Sequence, residues 1–208
     1  MSEPIGGGCT VVVFAKAPLP GFAKTRLVPA LGADGAARLA ELLLVHAVQA
    51  AARAGVGPVE LCCTPDAAHP AFAALAGQYG IALTTQGDGD LGARMSRAFE
   101  RCLAHVPQVL VMGTDAPALD AALIRRAAQA LEHTDAVFVP AHDGGYALVG
   151  LRSPSPSLFD NMTWSTSTVM AHTRERLAAT GLRYAELPPV ADIDEAADLI
   201  HLPRGWLP

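Results

Sequence analysis

Residues 9–27 read C-T-V-V-V-F-A-K-A-P-L-P-G-F-A-K-T-R-L. The opening seven residues are apolar or small and carry no charge, which predicts a buried β-strand. Residues 16–27 then form a loop with Pro18, Pro20 and Gly21, and with three cations, Lys16, Lys24 and Arg26. A helical period starts at about Asp34. A strand, a Gly/Pro loop and a helix in that order predict an open α/β sheet, whose ligands bind at the carboxyl ends of strands. Cationic side chains beside exposed backbone N–H groups suit phosphates. Gly21 permits close backbone approach or a positive φ. The two prolines stiffen the loop, which lowers the cost of ordering it on a ligand. A solvated basic connection would use the same residue types. Acids at later strand ends are what favour the ligand site.

The alternation continues beyond this unit. A helix over 34–54 is capped by Asp34 and ended by Gly55. Residues 59–64 predict the second strand, Pro65 and Asp66 open a helix to residue 79, and 81–85 form a third strand. Asp90 caps a helix to about 105, residues 109–112 form a fourth strand, and Asp120 caps a helix to about 132. Strands at 136–140 and 147–151 follow. A helix to about 180, a short strand at 184–187 and a last helix from 192 complete the chain. This order predicts a three-layer α/β/α fold with a mostly parallel, mixed sheet and helices on both faces. The break in alternation over 145–190 predicts an antiparallel edge strand and an acceptor-facing lid. No repeat or linker interrupts the 208 residues, so a single domain is expected.

With 51% hydrophobic and 17% charged residues, the chain can bury a sizeable core. A net charge of −5 argues against nonspecific binding to nucleic acid or anionic membranes, so any anion site must be a local basic patch. No apolar run approaches the roughly 20 residues needed to span a bilayer, and the N-terminus lacks a basic leader, so a cytoplasmic protein is expected. Cys9, Cys62, Cys63 and Cys102 form no C-x-x-C pair and read as core thiols. His46 reads as a core or edge histidine. Neither G-x-x-x-x-G-K-[ST] nor G-x-G-x-x-G occurs, which removes the two common nucleotide signatures.

The candidate chemistry lies after the strands. Asp115, in G-T-D-A-P, follows the fourth strand and could hold a hard divalent cation against phosphate oxygens. Helix capping is the plainer reading of that aspartate. Asp143, in H-D-G-G-Y, follows the fifth strand. Gly144 and Gly145 leave space for a substrate, and Tyr146 could stack on a sugar or base. D-G is also a hairpin signal. Asp192, Asp194 and Asp198 cluster at a helix start, where one of them (Asp194 is favoured) could supply a second metal carboxylate or merely cap the helix. Arg94, near Asp88 and Asp90, could contact a nucleotide. Trp164, Ser165, Thr166 and Thr168 suit an acceptor.

Taken together, K-A-P-L-P-G-F-A-K-T-R-L, G-D-L-G-A-R-M, G-T-D-A-P, D-G-G-Y-A-L-V-G, W-S-T-S-T-V and D-I-D-E-A-A-D-L resemble the DUF2064 family over about residues 10–200. Its members are glycosyltransferase-like proteins of the nucleotide-diphospho-sugar transferase superfamily. The resemblance implies a Rossmann-like GT-A fold and a divalent metal, Mg²⁺ or Mn²⁺. More distantly, the chain is similar to phospholactate guanylyltransferase and other small nucleotidyltransferases. That likeness implies nucleotide phosphates on Lys16, Gly21, Lys24 and Arg26, and metal on Asp115 and Asp194.

The expected catalytic residues are therefore Asp115, Lys24 and Asp143. Arg94 joins the nucleotide contacts, and Gly144, Gly145, Tyr146, Trp164 and Thr166 form the acceptor contacts. The leading function is a metal-dependent transferase with a nucleotide-sugar donor and a small acceptor. One alternative is a nucleotidyltransferase that joins an NTP to a phosphorylated acceptor and releases pyrophosphate. The other is a non-catalytic nucleotide sensor. Three cations in the first loop suit a triphosphate.

Overall fold

The computed structural model describes residues 8–207. The leader-free start read from the sequence concerns residues 1–7 and lies outside them. β1 (Cys9–Lys16), α1 (Val28–Ala54), β2 (Val59–Thr64), α2 (Pro70–Tyr79), β3 (Ala82–Thr85), α3 (Leu91–Leu103), β4 (Gln108–Met112), α4 (Ala121–Leu131), β5 (Ala136–Pro140), β6 (Tyr146–Leu151), α5 (Val169–Thr180) and β7 (Tyr184–Glu186) follow in order. The strands make one sheet ordered β3-β2-β1-β4-β6-β5-β7. β6 is antiparallel to β4 and β5, and every other pairing is parallel.

The charge-free run of β1 is explained by its position. Val11, Val13 and Ala15 face the core under α1, α2 and α4, while Val12 and Phe14 face the core under α3 and α5. A strand covered on both faces has no place for a polar alternate. The edge strands β3 and β7, by contrast, are half exposed. A third small cluster joins Leu27, Leu39 and Leu43 to Ile193 in the C-terminal segment.

Asp90 and Asp120 accept from the N–H groups of Ala93 and Leu123, each at 2.8 Å, and cap α3 and α4 as expected. All four cysteines are free and buried, and His46 Nε2 lies 2.8 Å from the Pro117 carbonyl oxygen.

Several expectations are corrected. The antiparallel strand is internal, because β6 lies between β4 and β5 and its residues from Leu148 to Leu151 are buried. Helix α2 starts at Pro70. His69 Nδ1 accepts from the Ala71 N–H, whereas the Asp66 carboxylate is used on Ala68. Helical backbone begins earlier than predicted, at Val28, and is broken by Gly32 (φ 71°, ψ 166°), so the long helix proper starts close to Asp34. Asp34 itself makes no side-chain cap bond among the described residues. The last helix is a short 3₁₀ helix, Ala196–His201, capped by Glu195 and Asp198. No helix among the described residues is long and apolar enough to cross a membrane.

Candidate active site

The order in which strands are added across the sheet reverses between β1 and β4, with β2 and β3 on one side of β1 and β4 on the other. The loop after β1 and the loop after β4 therefore leave a crevice at the carboxyl edge, where open α/β sheets bind ligands. Two adjoining half-clefts occupy it. The first, about 480 Å³, runs from Phe14, Lys16, Thr64 and Gln86 to Asp115. The second, about 460 Å³, runs from Asp115 and Asp194 to Asp143, Asp192, Trp164 and Thr166. Arg26, Leu91, Tyr146, Asp115 and Asp194 border both.

Lys24 sits at the junction. Its Nζ is 2.5 Å from Asp115 Oδ1 and 2.8 Å from Asp194 Oδ1. The lysine side chain is 7% exposed, the carboxylates 45% and 41%. Burial alone would lower the pKa of this ammonium. The two carboxylates, Asp115 first, more than offset that and hold it above the ordinary lysine value. Lys24 adopts φ 50° and ψ 42°, a left-handed conformation that costs a non-glycine residue on the order of 1 kcal/mol. The ion pairs anchor it there.

Asp194 reaches Asp115 through backbone contacts. The Val190 N–H donates to the Pro140 carbonyl, and the Ile193 N–H to the Asp115 carbonyl at 2.9 Å, so residues 190–194 extend past the end of β5. The same segment brings Asp192 into the second half-cleft. Burial, then Asp143, then Asp194, push the Asp192 carboxyl up to about 6. Asp198 stays out of the cleft and accepts from the N–H groups of Asp194 and Glu195.

Not every expected residue faces the crevice. Lys16 does, with its Nζ 4.2 Å from the centre of the Phe22 ring. Arg26 does too, with Glu195 at 3.7 Å. Gly21 is exposed and borders neither half. Arg94 donates to the Gly89 carbonyl, Gln86 Oε1 and Thr64 Oγ1, so it braces the wall from behind. Gly144 is the clearest reassignment. A Cβ there would lie 2.1 Å from the Ser167 carbonyl oxygen. The space expected for substrate holds the loop before α5, and the Gly144 carbonyl accepts from Met170. Asp143 Oδ1 accepts from Gly145 at 2.8 Å, so it forms the hairpin turn and borders the cleft at once.

Residues missed from sequence include Phe14, Thr64, Gln86 and Met95 in the first half. Leu91 also escaped notice. An exposed leucine directly after an N-cap was the available signal, and it is 43% exposed at the mouth of both halves. Asp115 and Asp194 are a two-carboxylate donor set. No group of three or more His, Cys, Asp or Glu among the described residues could hold a metal without help. Mg²⁺ typically takes one or two carboxylates plus substrate phosphates. Two partly exposed carboxylates that already share one cation fit that demand.

A mixed, mostly parallel sheet of this order, with a crevice at its carboxyl edge, defines a GT-A-like α/β/α protein. The chain belongs to the DUF2064 family, "Uncharacterized protein conserved in bacteria", whose model matches residues 47–166. That range holds Asp115, Asp143 and Trp164 but neither Lys24 nor Asp194. A solved protein from Desulfovibrio desulfuricans G20, provisionally described as a nucleotide-diphospho-sugar transferase, is 31% identical, with TM-score 0.86 over 95% of this chain and 87% of that one.

Two more distant structures share the fold alone. A cytidylyltransferase from Leptospira borgpetersenii is 13% identical (TM-score 0.61, covering 93% and 84%). Glucosyl-3-phosphoglycerate synthase from Mycobacterium tuberculosis, in complex with Mn²⁺, UDP and glucosyl-3-phosphoglycerate, is 10% identical (TM-score 0.54, covering 93% and 74%). No curated protein matches the chain.

Proposed function

We propose that this chain is a metal-dependent transferase, a single GT-A-like domain that takes a sugar from a nucleotide-sugar donor and passes it to a small acceptor. The observation that carries this reading is the Asp115–Lys24–Asp194 cluster at the junction of two half-clefts. One half has the length and cations for a nucleotide diphosphate. The other has carboxylates and an aromatic wall for an acceptor. The 31% identical Desulfovibrio protein carries the same general description. Four buried free thiols suit a reducing compartment, the cytoplasm.

In this reading Lys16 and Arg26 meet the diphosphate, and Asp115 and Asp194 hold Mg²⁺ or Mn²⁺. When bound, the ion neutralises charge developing on the departing diphosphate. Lys24 keeps positive charge at the same point in a water-poor position, where it counts for more than in bulk solvent. The acceptor hydroxyl oxygen bonds to the anomeric carbon of the sugar. The bond from that carbon to the diphosphate oxygen breaks, its electron pair stays on the nucleoside diphosphate, and the proton passes to a carboxylate, Asp143 or Asp192. Trp164 and Thr166 position the acceptor.

Nucleotidyl transfer is less well supported. Without metal, Lys24 pairs with two carboxylates and Arg26 lies near Glu195, so two of the three loop cations reach a triphosphate only by leaving a carboxylate. The deciding experiment is ³¹P NMR of the protein with Mg²⁺, an acceptor mixture, and either nucleotide sugars or NTPs. Release of nucleoside diphosphate from a nucleotide sugar supports the reading. Pyrophosphate from an NTP replaces it with nucleotidyl transfer, and binding without turnover replaces it with a sensor.

A further inference from the structure

The second half-cleft has an unequal charge distribution. Asp115 and Asp194 share Lys24. Asp143 and Asp192 form no ion pair among the described residues; the only hydrogen bond to the Asp143 side chain comes from the Gly145 N–H. The cation lining this half-cleft is Arg26, whose side chain is 60% exposed and already faces Glu195. The acceptor half is therefore lined by two unneutralised carboxylates.

The rest of its lining is partly aromatic and polar. Trp164 meets Tyr146 edge-on, with ring centres 6.4 Å apart at 88°. Trp164 seats on Gly92, where a Cβ would come within 2.9 Å of the indole ring and 2.7 Å of the Phe159 carbonyl oxygen. Trp164 Nε1 and Tyr146 Oη are both buried and have no hydrogen-bond partner among the described residues. Orphaned buried polar groups are uncommon and are otherwise met by bound water or ligand. Ser165, next to Trp164, holds φ 62°, a strained conformation of the kind that gathers at ligand sites.

We propose that the half-cleft between Asp143, Asp192 and Trp164 takes an acceptor that carries no anionic group: an uncharged or amine-bearing polyol of sugar-ring size. This deepens the transferase reading and rests on it. Hydroxyls donate to carboxylates in charge-assisted hydrogen bonds, and an ammonium pairs with them. The apolar face of a sugar ring packs on an indole. A phosphorylated acceptor would set its charge against both carboxylates, and like charges at this range repel.

The test follows the Trp164 indole N–H in ¹H–¹⁵N NMR. Only Trp164 and Trp206 give such a signal, and Trp206→Phe assigns it. UDP, GDP, ADP and CDP are titrated with Mg²⁺ first. Glucose, glucosamine and glucose 6-phosphate are then titrated on both the nucleotide-free and the nucleotide-loaded protein. The expected result is a Trp164 shift with glucose and glucosamine, the latter binding at least tenfold more tightly than glucose 6-phosphate. Asp192→Asn, and Asp143→Asn with Asp192→Asn, should shrink that gap to under threefold. Glucose 6-phosphate binding as well as glucosamine, a gap unchanged in both variants, or a silent Trp164 with all three sugars overturns the proposal. Failure of every nucleotide to bind counts against the donor reading instead, and the sugar titrations on nucleotide-free protein still decide the acceptor class.

Discussion

Lys24 Nζ lies 2.5 Å from Asp115 Oδ1, and that contact joins the loop after β1 to the loop after β4 across the sheet's reversal point. Asp194 closes the cluster from the C-terminal segment at 2.8 Å. A residue that its loop's composition assigned to phosphate thus stands between the two carboxylates assigned to metal. Both assignments survive only if Lys24 and a divalent ion compete for one oxygen set until a nucleotide's phosphates offer the lysine another partner.

That competition predicts a gain from Lys24→Met. Removing a positive charge this close to both carboxylates should strengthen Mn²⁺ binding to the nucleotide-free protein by about tenfold, while weakening nucleotide binding. Titration of Mn²⁺ followed by electron paramagnetic resonance reads the first effect directly. Equal or weaker Mn²⁺ binding in Lys24→Met would mean that the lysine helps to build the metal site.

Much of the frame was legible from local pattern. β2 and β5 match their predicted spans residue for residue, since short, largely buried β-forming runs have few alternatives. Asp90 and Asp120 were readable as caps because capping is a contact three residues away. What escaped is nonlocal. The internal position of β6 depends on which strands it pairs with. The closeness of Asp194 to Asp115 depends on backbone bonds between distant segments. The loop that fills the space over Gly144 comes from residue 167, and no spacing around Gly144 announces it.

Asp192 should mark the cleft by its pH dependence. Its carboxyl titrates near 6 in the folded chain against an ordinary 3.8. Well below pH 4 it is neutral in both states and stability is unaffected. Between about pH 4 and 6 the unfolded chain ionises while the folded chain keeps its proton, so the folded state loses stability as pH rises through that window, and the loss is complete above it. Asp192→Asn escapes this loss. In metal-free protein it should melt with wild type well below pH 4 and above wild type at pH 7.5, by about 1 kcal/mol after allowance for partial exposure, or roughly 2–4 °C. A difference that stays flat from pH 4 to 8 would contradict the crowding of carboxylates there.

A control lies away from the crevice. Glu60, in β2, is nearly buried and takes two bonds of 2.6 Å from Arg101 and one of 2.5 Å from Thr84. Arg101→Ala leaves that carboxylate with Thr84 and the weak Cys102 thiol donor alone and should cost about 2–3 kcal/mol in urea unfolding, discounted for the partly exposed arginine. Adding Glu60→Met should recover most of the loss. Nucleotide affinity should not move in either variant; a change would tie this pair to the site.

Nucleotide binding on the Asp115–Asp194 pair is tested most directly by a thermal-shift panel of UDP, GDP, ADP, CDP and their sugar conjugates, with and without Mn²⁺, on wild type and Asp115→Asn. Ligand that binds only the native state raises Tm by mass action, about 5–10 °C at a hundredfold excess over Kd. The expected result is one nucleotide series that shifts wild type only when Mn²⁺ is present, with the shift lost in Asp115→Asn. A shift of the same size without metal, or one retained in Asp115→Asn, would contradict a metal-held donor at this junction.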